Sequence, residues 1–128
     1  MEDPSREILL IVDDNEGVRH LVSRWLERSG FRVLEAKDGS EAMDLLESER
    51  PELILADIRM PKIDGIELAR IVKREYPETT VILMTAFSSP LTISRARKEG
   101  VDDYLEKPFT QEQVRQVVEE ALQKRAPA

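Results

Sequence analysis

Five short apolar runs, separated by stretches of helical spacing, leave this chain few folds to choose from. Ile8 to Val12 is continuously apolar with two β-branched residue types, the pattern of a strand buried on both faces. Val18, Leu21, Val22, Trp25 and Leu26 then fall at helical spacing, and Gly30 supplies a stop. Phe31 to Ala36 alternates more, as a strand nearer an edge does. Asp38 with Glu41 resembles a capping box ahead of Ala42, Leu45 and Leu46, and Pro51 closes that helix. Leu53 to Ala56 is a third strand, and Ile66, Ala69 and Val72 mark a helix ended at Tyr76–Pro77. Val81 to Met84 is a fourth strand. Ser89 reads as a cap before a first-turn proline, Pro90, and the helix behind it has a thin apolar face of Leu91, Ile93 and Ala96, ended by Gly100. Val101 to Leu105 is a short fifth strand. Thr110 with Gln113 opens a last helix carrying Val114, Val117, Val118, Ala121 and Leu122.

Strand and helix in strict alternation predict an α/β domain, a parallel sheet with helices on both faces. The 128 residues suit one domain over residues 1–128, with a core of about 7–124 and a short C-terminal tail, and no linker, repeat or low-complexity stretch interrupts it. Absence of cysteine excludes a disulfide framework and thiolate metal sites. The polar start, Met1 to Glu7, does not read as a signal peptide, and no apolar run approaches a membrane span, so the expectation is a cytoplasmic protein without membrane contact. A net charge of −7 argues against direct nucleic-acid binding by this segment.

In such a sheet, ligands bind outside the carboxyl ends of the strands. Those ends carry Asp13 and Asp14 after the first strand, Asp57 after the third, Thr85 after the fourth and Lys107 after the fifth, the last followed by Pro108. Asp13 and Asp14 also suit helix capping, Asp57 a turn, Thr85 an ordinary strand position and Lys107 a solvated surface. Together they bring three carboxylates, a hydroxyl and an ammonium to one crevice. Three carboxylates there repel unless their pKa values rise or a cation neutralises them. Oxygen ligands without His or Cys suit Mg²⁺, which takes one or two carboxylates plus phosphate oxygens. One carboxylate beside such an ion can act as a nucleophile towards a phosphoryl group, with Lys107 and Thr85 supplying charge and donors to its oxygens.

Four stretches carry a resemblance: Ile11-Val12-Asp13-Asp14; Leu55-Ala56-Asp57-Ile58-Arg59-Met60-Pro61 with Asp64-Gly65; Met84-Thr85-Ala86; and Asp103-Tyr104-Leu105-Glu106-Lys107-Pro108-Phe109. In this order, at strand ends, they resemble the receiver domain of bacterial two-component response regulators over essentially the whole chain. The resemblance implies a flavodoxin-like (βα)5 sheet of order 2-1-3-4-5. It implies Asp57 as acceptor of a phosphoryl group from a histidine kinase or phosphotransfer protein. Mg²⁺ would be held by Asp14, Asp57 and the Arg59 backbone carbonyl, and by Asp13 mainly through water. Thr85 and Lys107 would contact the phosphoryl group, and Tyr104 would be an aromatic switch turning inward with Thr85. The Lys107–Pro108 bond would be cis. The protein would catalyse its own phosphorylation and dephosphorylation without being an enzyme in the ordinary sense. It would control an output domain or partner through its fourth helix, fifth strand and last helix, a phosphorylation-dependent dimer being one such output.

Ile58, Arg59, Ala86 and Phe87 are expected to rim the phosphoryl pocket. A bulky Phe87 that blocks the hydrolytic water would make self-dephosphorylation slow, while the Arg59 side chain has two readings, towards a phosphoryl oxygen or into solvent. His20 shows no feature of a phosphohistidine. Tyr104 and Trp25 also suit plain core roles, Asp102 and Asp103 are expected in a solvated turn, and Asp64–Gly65 in a tight turn.

Two other classes compete. A phosphatase of the haloacid dehalogenase type wants a second acid two residues past the nucleophile, where this chain has Arg59. A phosphorylation-independent interaction module usually lacks part of the acidic set or the lysine, both kept here. No G-x-G-x-x-G follows the first strand, which disfavours a dinucleotide fold. Receivers joined to winged-helix domains usually carry an arginine in the last helix where this chain has Val117, which weakens that dimer as the output. A stand-alone regulator and the receiver of a longer protein both remain open.

Overall fold

The apolar runs become five parallel strands in the order β2-β1-β3-β4-β5: β1 is Ile8–Val12, β2 Arg32–Ala36, β3 Leu53–Asp57, β4 Thr80–Thr85 and β5 Asp103–Glu106. Each is followed by a helix: α1 Glu16–Arg28, α2 Gly39–Glu49, α3 Gly65–Glu75, α4 Pro90–Lys98 and α5 Gln111–Arg125. The computed structural model of the chain describes residues 6–86 and 89–125. The strand order and the all-parallel sheet are those expected from the sequence.

Successive strand residues point to opposite faces, so a strand covered on both sides must be apolar at every position. Leu9 and Ile11 of β1 face Val22 and Leu26 of α1 and Val114 and Val118 of α5. Leu10 and Val12 face the other way, into a layer with Leu46 of α2, Ala69 and Val72 of α3 and Ala96 of α4. The central strands β3 and β4 are buried throughout. Burying each such Leu or Ile contributes about 1.5–3 kcal/mol, so these two layers dominate the stability of the fold. In β2, at the sheet edge, all residues but Ala36 are only half-buried, which is why its pattern alternates.

Asn15, Asp38, Asp64 and Ser89 each cap a helix by accepting the amide three residues on. Because Asn15 caps α1, neither Asp13 nor Asp14 is spent on that task.

Three expectations need correction. Asp102 is exposed, as expected, but neither it nor Asp103 lies in a turn: β5 begins at Asp103, later than the apolar run suggests, and Asp102 completes the sheet ahead of it. Its amide donates to Val81 O at 2.8 Å, its carboxylate accepts the Val81 amide at 2.8 Å, and it pairs with Lys73 of α3 at 2.7 Å. The carboxylate thus takes the place of a strand carbonyl where the β4–β5 ladder has not yet begun. Leu91 does not belong to the buried face of α4 but is 72% exposed, leaving Ala96 as that helix's buried residue. Trp25 is half-buried rather than a full core residue, its ring edge-on to Phe109 at 6.5 Å.

Candidate functional site

The parallel sheet brings every strand's carboxyl end to one edge. The β1–β3 register, with Val12 beside Ala56, sets Asp13 next to Asp57, and Lys107 follows β5 on the far side of β4. Carboxylate oxygens of Asp13, Asp14 and Asp57 lie within 4.8 Å of one another. Asp13 is fully buried, Asp57 is 8% exposed, and Asp14 faces solvent. The Lys107 ammonium stands 3.2 Å from Asp13 Oδ2 and 3.4 Å from Asp57 Oδ1. Asp13 Oδ1 accepts the Asn15 amide at 2.9 Å.

Burial drives the Asp57 pKa above the ordinary carboxylate value, the neighbouring Asp13 charge raises it further, and Lys107 pulls it partly back. A raised pKa in the folded state means the fold binds that proton more tightly than the unfolded chain. The resulting stability is complete below the unfolded pKa and is lost as pH rises through the folded one. The metal-free chain is therefore expected to gain stability from Asp57→Asn at pH 7, and this gain should shrink as pH falls towards 4. Urea unfolding in EDTA at a series of pH values measures it; a variant less stable than wild type at pH 7 would contradict the electrostatic picture.

Asp57 is also pinned from behind. Gly65, the first residue of α3, packs so closely that an added Cβ would lie 2.4 Å from the Asp57 carbonyl oxygen and 2.8 Å from Ile58 Cα. Its amide donates to Ile58 O at 2.8 Å. The Asp-Gly pair suggests only a tight turn in the sequence; its second residue is instead where α3 touches the strand carrying the acceptor candidate.

Thr85 ends β4, 6% exposed, and its carbonyl accepts the Lys107 amide at 2.8 Å. The Lys107–Pro108 peptide bond is cis. Tyr104, half-buried in β5, shares with Thr85, Ile58, Leu83, Ile93 and Ala96 the walls of a cavity of about 10 Å³ beneath α4. Arg59 and Ala86, which directly follow Ile58 and Thr85 in the chain, are exposed. Phe87 lies outside the described residues. Val117 is half-buried against the α1–α5 layer.

Three converging carboxylates with no nitrogen or sulfur donor form a set suited to a hard divalent cation, and one ammonium, Lys107, stands against two of them. The residues present therefore fit Mg²⁺, with room at exposed Asp14 for water or a phosphate oxygen.

A protein-family model described as the response regulator receiver domain matches residues 9–119. The chain belongs to the response regulator receiver-domain family, whose members serve phosphorylation-dependent two-component signalling. Among individual relatives it is 36% identical over 112 residues to the DNA-binding transcriptional regulator NtrC of Proteus hauseri, covering 88% of this chain and 24% of that protein. It is 35% identical over 116 residues to the alkaline phosphatase synthesis transcriptional regulatory protein PhoP of Bacillus subtilis, covering 91% of this chain and 48% of that one. A CheY-like receiver domain from Methanospirillum hungatei superposes with a TM-score of 0.91 at 27% identity, covering 94% of this chain and 97% of that one. The chain thus spans a half or less of these curated relatives. Among the described residues no helix is long and apolar enough to cross a membrane.

Proposed function

We propose that the chain is a phosphorylation-operated switch in which Asp57 accepts a phosphoryl group from a histidine kinase or phosphotransfer protein, in a reaction that depends on Mg²⁺. The observation that carries this reading is the Lys107 ammonium standing 3.2 and 3.4 Å from two members of a three-carboxylate cluster. Asp13, Asp14, Asp57 and the Arg59 carbonyl would hold the ion; when bound, it would neutralise the carboxylates and the phosphoryl oxygens. The Asp57 carboxylate attacks phosphorus, the new Asp57–phosphorus bond forms as the donor's bond to phosphorus breaks, and the donor leaves with its electron pair. Lys107 and the Thr85 hydroxyl bind the phosphoryl oxygens, and the same groups serve the later hydrolysis. A cytoplasmic setting, and control of an output domain or partner through the α4-β5-α5 face, belong to the same proposal.

The route from site to surface is short. Thr85 and Tyr104 line the same small cavity beneath α4. Ile93 and Ala96 of α4 line that cavity too, so a turn of Tyr104 would act directly on α4, a helix held by little burial beyond Ala96. In the presence of Mg²⁺ and beryllofluoride, α4 amides are expected to change their hydrogen-exchange rates, whereas α2 amides should not. Beryllofluoride that binds and leaves α4 exchange unaltered would instead identify an inert interaction module.

A further inference from the structure

Every polar atom of Asp13 is held in place. Its amide donates to Ala36 O at 3.2 Å, one carboxylate oxygen accepts from the Asn15 amide at 2.9 Å, and the other from Lys107 at 3.2 Å. Its carbonyl lies past the last β1–β2 ladder pair, Val12 with Ala36, and accepts instead from Arg19 Nη1 of α1 at 2.9 Å. That carbonyl belongs to the peptide joining Asp13 to Asp14, the two acidic residues that β1 delivers to the cluster. The Arg19 side chain is only 14% exposed, and its Nε donates to Glu35 Oε1 of β2 at 3.0 Å. A guanidinium is a rigid plane of donors, so bonds to two separate elements fix it far better than one ammonium could.

We infer that Arg19 is a positioning residue for the metal carboxylates: braced by Glu35, it locks the Asp13–Asp14 peptide plane and so aims both side chains at the site shared with Asp57. Nothing in the sequence marks Arg19 for this, because an arginine six residues past Asp13 reads as one more charge on a helix. The inference rests on the acidic cluster being the Mg²⁺ site. Outer groups that orient metal ligands are commonly worth ten- to a hundredfold in affinity.

The test is Mg²⁺ titration by calorimetry on the whole chain, paired with urea unfolding in EDTA. Arg19→Met, which keeps the aliphatic stem, is expected to weaken Mg²⁺ binding roughly tenfold. Arg19→Lys should fall between it and wild type, since an ammonium cannot span both bonds. Glu35→Gln, which leaves Arg19 in place with a weaker brace, should weaken binding a few-fold and serves if Arg19→Met does not fold. A merely structural role would lower the metal-free unfolding midpoint and leave the affinity of the folded protein unchanged. A wild type that does not bind Mg²⁺ would overturn the metal reading and this inference with it. Wild-type binding matched by undiminished affinity in the foldable Arg19 and Glu35 variants would overturn the inference alone.

Discussion

Gly65→Ala is expected to destabilise the protein by about 3 kcal/mol and to weaken Mg²⁺ binding at the same time. The contacts that an alanine Cβ would meet, at 2.4, 2.8 and 3.0 Å, are all backbone atoms of Asp57 and Ile58, which have no rotamer to escape into. Overpacking of this kind typically costs 1–3 kcal/mol and occasionally more. Relief can come only by moving α3 away from β3 or by moving the Asp57 peptide, and the second displaces the candidate phosphoryl acceptor. A helical glycine without such neighbours gives the control. At Gly17 of α1 an added Cβ meets only Asn15 Oδ1, at 3.4 Å, so Gly17→Ala should be neutral or stabilising by up to about 1 kcal/mol. Urea unfolding of the two variants checks both signs; equal stabilities would refute the packing argument.

Lys107→Ala should slow phosphorylation of Asp57 by roughly 10²–10³-fold, the usual cost of removing one preorganised donor from developing anionic oxygens. Mg²⁺ binding should respond in the opposite sense or not at all. The lysine contributes positive charge beside Asp13 and Asp57, and without it the cluster becomes more attractive to a cation. This split separates the role of Lys107 from that of the carboxylates, which hold the ion itself. Rates of labelling by acetyl phosphate at saturating Mg²⁺, alongside the Mg²⁺ dissociation constant, measure both halves. An unchanged rate would remove Lys107 from the chemistry.

Most of the sheet is legible in the sequence because burial on two faces leaves a simple trace. Leu9-Leu10-Ile11-Val12 cannot alternate polar and apolar when odd residues face α1 and α5 and even ones face α2 and α3. The acidic cluster is legible for a related reason: Asp57 follows four buried apolar residues, where a charge is costly unless something uses it. Asp102 was not legible. Its neighbour Asp103 makes the pair look like a turn, and only the staggered start of β5 shows that its carboxylate stands in for a strand carbonyl. The exposure of Leu91 is not legible either, because three apolar residues in a nine-residue helix do not define a face, and Ala96 alone is buried. Gly65 and Arg19 act on the site through backbone atoms, Asp57 O and Asp13 O, and contacts to backbone leave no complementary residue type for a sequence reader to notice.

The most direct measurement of the central claim is peptide mass spectrometry after incubation with acetyl phosphate. Wild type with Mg²⁺ is expected to gain one phosphoryl group on the peptide containing Asp57, to lose that gain when EDTA replaces Mg²⁺, and to show none at this site in Asp57→Asn. Undiminished labelling of Asp57→Asn on the same peptide, or of wild type in EDTA, would contradict the assignment of Asp57 as the metal-dependent acceptor.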